Sequence, residues 1–285
     1  MPVLALKMQK PLSLHKNTKF TIVNNRNVAS KKYIDDFKVF SNRRVTHDYV
    51  IIELQHPGEM PEMHPGQFVQ IKVEERPNVY LRRPISIHDV DVQQGVMRLL
   101  VQEVGEGTRW IGQLKSGQAI NVVYPLGNSF SMPATNRVLL VGGGCGIAPL
   151  LFLGKALHRN GIKPRFLMGA RSAAHLIDLS EYRALGDVYI TTEDGSEGTK
   201  GFVIHHPVMK TETPDFDTIY TCGPEPMMKV LAKYAANHHI HCQVSLENSM
   251  ACGFGACLCC VTATHDGNKC TCIDGPVFDS KELKW

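Results

Sequence analysis

The chain has 285 residues, 43% of them hydrophobic, which suits two or three domains with cores of ordinary size. Its formal net charge of +4 comes from one end: residues 1–32 hold seven Lys or Arg and no Asp or Glu, leaving 24 basic against 27 acidic residues elsewhere, a net of −3. Such a body argues against a nucleic-acid partner, and no apolar run approaches the roughly 20 residues of a membrane span.

Residues 1–32 lack the continuous apolar stretch of a secretory signal and read as a poorly ordered basic extension. Residues 33–133 then take on a β texture. Short runs rich in β-branched residues (VF at 39–40, YVIIEL at 49–54, FVQIKV at 68–73, VMRLLV at 96–101, INVV at 120–123) alternate with Gly and Pro breaks. Five or six short strands so spaced predict a small antiparallel barrel. Within it, RRPISI at 82–87 sets Arg83 and Ser86 on one extended segment. A guanidinium fork suits a phosphate, and a hydroxyl can reach the edge of a planar ring; an Arg-Pro pair at a strand end is also a common structural device. Gly105, Gly107 and Thr108 open a short helix near residues 108–111 whose amides could face a pyrophosphate, and an ordinary loop reads equally well there.

After Pro133 the period changes. VLLV at 138–141 is an apolar strand running into GGGCGIAP (142–149), and PLLFLGKALH (149–158) reads as a helix. RFLM at 165–168, DVYIT at 187–191 and TIYT at 218–221 are further strands, and a helix covers 225–237. This alternation predicts a parallel sheet with right-handed crossovers over residues 134–243. Gly142, Gly143, Gly144 and Gly146, between a strand and a helix, let a dinucleotide's pyrophosphate approach backbone amides and the positive helix end. The pattern departs from G-x-G-x-x-G, since Ile147 stands at the third glycine position, and a plain tight turn is the alternative. Cys222, in TCGPEPMM (221–228), follows the last apolar strand at the carboxyl end of the sheet, where open α/β folds bind ligands. Its alternative is a small buried residue.

Residues 244–285 carry six of the nine cysteines within 21 residues. Such clustering marks a metal or cluster site in a reducing compartment, not a secreted disulfide framework. Cys252, Cys257 and Cys260 stand as C-x4-C-x2-C, and Cys272 follows after eleven residues, the spacing of a loop around a 2Fe-2S cluster. Soft thiolates match iron bridged by sulfide. Gly253 and Gly255 let the loop fold tightly with amides aimed at sulfur. Structural zinc usually takes two C-x2-C knuckles well apart, and only one is present. Cys259, inside the x2 gap, and Cys270, two residues before Cys272, each read as spectators, and Cys270 is the one rival for the fourth ligand. The thirteen histidines form no metal-binding pair, and no G-x-S-x-G elbow supports a Ser/His/Asp set.

RPIS (83–86) in a barrel, a glycine turn opening a Rossmann-like half and CGP (222–224) follow in an order that resembles the ferredoxin-NADP reductase superfamily. With the tail MACGFGAC (250–257) and DGPVF (274–278), residues 33–285 resemble the electron transfer subunits of class 1B dihydroorotate dehydrogenases. The resemblance implies a multidomain β plus α/β chain: an antiparallel barrel binding FAD (33–133), a Rossmann-like parallel-sheet half binding NAD (134–243) and a small 2Fe-2S domain (244–285). It places FAD on Arg83, Pro84, Ile85 and Ser86, on Leu100, Val101 and Gln102, and on Gly107 and Thr108. NAD would cross the glycine turn with its nicotinamide near Cys222, the catalytic residue, and Cys252, Cys257, Cys260 and Cys272 would hold the cluster. Cys272 is preferred over Cys270 because it stands two residues before DGPVF.

The resemblance further implies a cytoplasmic oxidoreductase of pyrimidine biosynthesis, in a heterotetramer with two copies of an FMN-containing catalytic subunit that oxidises dihydroorotate to orotate. Electrons would pass through the cluster and FAD to NAD+. Ile85 departs from the tyrosine of many ferredoxin reductases, and Arg171 after the second sheet strand leaves NADP open on residues alone. Subunits of NADH-dependent ferredoxin reductases, sulfide dehydrogenases or hydrogenases are one competing reading. A non-enzymatic module with a four-cysteine zinc site is another.

Overall fold

The computed structural model describes residues 31–285, so the basic extension expected at 1–32 lies outside them except for its last two residues. Six strands close a barrel: β1 (Tyr33–Arg44), β2 (Tyr49–Gln55), β3 (Phe68–Ile71), β4 (Arg83–Asp91), β5 (Val96–Gln102) and β6 (Ala119–Leu126), in the order β1-β2-β5-β4-β3-β6. Every ladder is antiparallel, and closure leaves no sheet edge. Alternate residues fill the interior, among them Val50, Ile52 and Leu54 of β2, Val69 and Ile71 of β3, and Leu99 and Val101 of β5. Helix α1 (Glu106–Gln113) follows β5 and packs Ile111 on that core. The sixth strand, β4, is faint in the sequence because polar residues interrupt its apolar pattern.

The second unit is built on β7 (Val138–Gly143), α2 (Ala148–Arg159), β8 (Arg165–Ala170), α3 (Ser180–Leu185), β9 (Asp187–Thr192), β10 (Thr199–Lys200), β11 (Thr218–Cys222), α4 (Glu225–Asn237) and β12 (His241–Ser245). These strands are parallel, as the alternation predicts. The chain runs outward from β7 through β8 and β9, then returns to place β11 on the other side of β7. That reversal opens a crevice beyond the carboxyl ends of β7 and β11, the usual ligand position in such sheets. The strands β7 and β11 are fully buried, as expected of strands covered on both faces.

The cysteine-bearing segment is tied to both units. A hairpin, β13 (Val261–Thr264) and β14 (Gly267–Cys270), precedes β15 (Val277–Asp279), which pairs antiparallel with β12 and completes a seven-stranded sheet. Met250, Cys260, Cys270 and Cys272 pack with Phe68, Val123 and Leu126 on the outer wall of the barrel. Strands β10 and β12 to β15 are too short or too polar to read from periodicity.

The barrel and the sheet are also joined directly. Arg98 of β5 donates from Nη1 to Glu181 of α3 at 3.0 Å and to Asp89 of β4 at 3.3 Å. Lys155 of α2 donates to the same two carboxylates at 2.6 Å (Asp89) and 2.8 Å (Glu181). His88 of β4 is buried, with Nδ1 2.8 Å from the carbonyl of Ala148 at the start of α2.

Candidate functional site

The cysteine loop turns on two glycines held in the left-handed region, Gly253 (φ 77°) and Gly255 (φ 85°). The turn brings the thiols together in pairs. The Cys252 amide donates to Cys257 Sγ at 3.5 Å, and the Cys272 amide to Cys260 Sγ at 3.4 Å. Gly255 donates its N–H to Cys272 Sγ at 3.2 Å. Burial raises the Cys252 pKa, but the amides of Phe254, Cys257 and Ala256 and the neighbouring Cys257 thiol outweigh it and hold the value at about 6. Cys272 goes the other way, to about 12, through burial and the Cys260 thiol beside it. Amides aimed at sulfur are what a thiolate-held cluster requires.

Among the described residues, no group of three or more His, Cys, Asp or Glu is arranged to hold a single metal ion. Two pairs of thiols suit a cluster in which each of two irons takes two ligands. Cys270 also lies against Cys260, and burial raises its pKa, so proximity alone does not separate it from Cys272; the amide from Gly255 falls on Cys272. Cys259 is exposed, with its sulfur 3.7 Å from the carbonyl of Ser249.

On the barrel, β4 pairs with β3 so that Arg83 faces Ile71, Pro84 faces Gln70, Ile85 faces Val69 and Ser86 faces Phe68. Ile85 packs on the barrel core, so Pro84 and Ser86 take the outward face. The Arg83 side chain crosses Gly107: a Cβ there would stand 2.6 Å from Arg83 Nε. The guanidinium therefore lies over the first turn of α1, whose Gly105 cap has no side chain to satisfy the free amides. An arginine above an open helix N-terminus is a cradle for a pyrophosphate. The Thr108 hydroxyl is engaged with the Gly105 backbone at 3.1 Å. Leu100 and Val101 are buried, and Gln102 donates to Asp48 at 3.0 Å.

The four glycines of the second unit differ in what they do. A Cβ on Gly142 would stand 2.5 Å from Ile147 Cγ2, on Gly143 2.7 Å from Met227 Sδ, and on Gly146 2.2 Å from the Cys222 carbonyl oxygen. Gly143 and Gly146 let the turns after β7 and β11 press together, and Gly142 lets Ile147 and Leu150 pack back on β7. Gly144 carries the positive φ of 55°. Cys222 pairs with Gly142 across the β11–β7 ladder and is fully buried. Its thiol points to Glu247 Oε1 at 3.8 Å, and burial followed by the charge of Glu247 raises its pKa well above the ordinary thiol value. Cys145, in the glycine turn, has its sulfur 3.9 Å from the carbonyl of Leu100 on β5. The flavin-side strand and the nucleotide-side turn thus meet at one junction. Glu247 has no motif around it; its one signal is its place just past the end of β12, beside β11.

The barrel with a phosphate cradle, the parallel sheet with its crevice and the paired-cysteine loop define an oxidoreductase module for a flavin, a nicotinamide nucleotide and an iron–sulfur cluster. Family models agree segment by segment: an oxidoreductase FAD-binding domain over residues 36–130, an oxidoreductase NAD-binding domain over 140–233, and the iron–sulfur cluster binding domain of dihydroorotate dehydrogenase B over 247–284. The chain is 38% identical over 250 residues to the dihydroorotate dehydrogenase B (NAD(+)) electron transfer subunit of Caldanaerobacter subterraneus subsp. tengcongensis, covering 86% of this chain and 96% of that one. The corresponding subunit of Geobacillus kaustophilus is 39% identical over 225 residues, 77% of this chain and 86% of its own. The chain belongs to the family of dihydroorotate dehydrogenase B (NAD(+)) electron transfer subunits.

Among solved structures, a chain from a study of flavin-based electron bifurcation in the NADH-dependent reduced ferredoxin-NADP oxidoreductase superposes with a TM-score of 0.79. It is 33% identical, and the match covers 87% of this chain and 90% of that one. The ferredoxin reductase of carbazole 1,9a-dioxygenase shares the fold, with a TM-score of 0.64 at 22% identity over 75% of this chain and 68% of that one. No helix among the described residues is long and apolar enough to cross a membrane.

Proposed function

We propose that this chain carries electrons between a dihydroorotate-oxidising catalytic subunit and NAD+, as the names of its relatives describe. The observation that carries the reading is the docking of the cysteine loop on the barrel wall one strand from the flavin motif. Arg83 and the amides of Gly107 and Thr108 bind the FAD pyrophosphate, while Pro84, Ile85, Ser86, Leu100, Val101 and Gln102 line the rest of the flavin site. Gly142, Gly143, Gly144 and Gly146 shape the turn that sets the NAD pyrophosphate against the N-terminus of α2. Cys222, kept protonated and neutral, stands beside the nicotinamide. Cys252, Cys257, Cys260 and Cys272 hold the 2Fe-2S cluster. FAD, when bound, supplies the step between hydride exchange with NAD and single-electron exchange with the cluster. The chain's own task is position and water exclusion.

The partner is an FMN-containing catalytic subunit in a cytoplasmic assembly with two copies of each chain, forming orotate for pyrimidine biosynthesis. In the purified complex, Cys260→Ser abolishes NAD-linked orotate formation and leaves FAD bound; full NAD-linked activity with that variant would refute the relay. The likeness at a TM-score of 0.79 to a chain of a ferredoxin-NADP oxidoreductase supports a second reading, in which the partner is a ferredoxin-linked subunit. Co-purification separates the two: orotate formation by the captured partner supports the first, ferredoxin reduction the second.

A further inference from the structure

Gln70 stands where the barrel meets the cluster loop. It lies on β3, is 0% exposed, and its backbone pairs with Pro84 of the flavin motif. Residues directly opposite in an antiparallel ladder share a face, so Gln70 and Pro84 lie on the same outward face of the barrel. Arg82 fixes this stretch of β3, donating to the Gln70 carbonyl at 3.4 Å and to the Asn121 carbonyl at 3.2 Å. The Gln70 side chain then crosses to the cluster loop. Its Nε2 donates to the Ala251 carbonyl at 3.3 Å. Its amide lies against Gly253, where a Cβ would stand 2.7 Å from Cδ and 2.8 Å from Oε1. Ala251 and Gly253 flank Cys252 on both sides. Among the described residues, the amide oxygen itself is buried with no hydrogen-bond partner.

A buried amide oxygen without a donor costs stability that an apolar side chain of the same length would not. A residue that merely filled this gap would serve better as methionine. We propose that Gln70 is a positioning residue: its carboxamide fixes the Cys252 arm of the cluster loop to β3, the strand paired with the flavin motif, and its free Oε1 accepts a donor of that loop in the loaded protein. Gln70 thus sets the spacing and orientation between the two electron carriers. This inference rests on the relay described above.

The test uses the full chain, purified anaerobically with its cofactors. Gln70→Met keeps the length of the side chain and removes both hydrogen-bonding groups. The expected result is a shift in the EPR g-values of the reduced cluster. With it, the rate of NADH-driven cluster reduction, taken relative to NADH-driven flavin bleaching in the same sample, falls about tenfold, a typical effect for an outer partner of a metal site. Gly253→Ala, which crowds the same amide from the loop side, produces a g-value shift of its own. Wild-type g-values and a wild-type rate ratio in Gln70→Met would overturn the proposal. So would parallel loss of iron and flavin in both Gln70→Met and Gln70→Glu, which would make Gln70 a structural residue only. Iron, sulfide and flavin counts on the unmutated chain test the relay separately, because they do not depend on Gln70.

Discussion

Cys270 and Cys272 sit two residues apart and both lie against Cys260, so the choice of fourth ligand rests on the backbone around them. The Gly255 amide is given to Cys272 Sγ, while the Cys270 amide is spent on Asp274 Oδ2 at 2.7 Å. Cys272→Ser is therefore expected to lose the cluster, and Cys270→Ser and Cys259→Ser to keep full iron and sulfide content after anaerobic purification. Gly107→Ala pushes a methyl into Arg83 over the phosphate cradle. Loss of one charge-assisted contact, about 1.5 kcal/mol, should weaken FAD binding roughly tenfold in a flavin fluorescence titration of the apoprotein. The cysteine spacing and RPIS motif are legible in the sequence because their residues lie close together along it. Gln70 and Glu247 are not, because distant chain segments assemble their surroundings: 181 positions separate Gln70 from Ala251.

At the scale of elements, the strand–turn–helix after β7 shows how one motif can hide a division of labour. The run of glycines reads as one ligand-binding turn, yet Gly146 serves first to let β7 and β11 end side by side. A methyl at Gly146 would stand 2.2 Å from the Cys222 carbonyl oxygen, a backbone atom that cannot swing away. Gly146→Ala should cost about 3 kcal/mol in chemical denaturation, the upper end of what overpacking of a tight core costs. Gly161→Ala is the control. Its Cβ would meet nothing within 4 Å among the described residues, and it pays only for its φ of 78°, roughly 1–2 kcal/mol. Equal losses in the two variants would contradict this assignment. The parallel strands were readable from continuous apolar runs. The edge strand β15 was not, because its three residues become a strand only when β12 is there to pair with.

The whole molecule depends on the joint between barrel and sheet. Replacing Arg98 with methionine removes one of the two cations, Arg98 and Lys155, that bridge Asp89 and Glu181. The expected loss is about 2 kcal/mol, between the values for exposed and for fully buried pairs. Hydrogen bonding from Arg98, helped by Lys155, outweighs burial and holds the Glu181 pKa down to about 2 from 4.5. Its contribution is present above pH 4.5 and drains away as the pH falls towards 2. Burial holds His88 down to about 4 from 6.5. His88 is neutral in both states above pH 6.5, and protonation increasingly favours the unfolded chain as the pH falls from 6.5 to 4. Thermal melts should therefore show stability falling in two overlapping windows, with His88→Gln flattening the upper and Glu181→Gln the lower. Unchanged pH profiles in both variants would remove these groups from the joint.

The central claim is that one chain brings a flavin and a two-iron cluster together on a shared barrel wall. An EPR spectrum of the anaerobically purified chain after addition of NADH, with iron, sulfide and flavin counted on the same sample, tests it most directly. The account predicts two irons, two sulfides and one FAD per chain, with a reduced-cluster signal that NADH alone brings up. A colourless chain containing zinc, or a flavoprotein whose cluster NADH leaves oxidised, would contradict it.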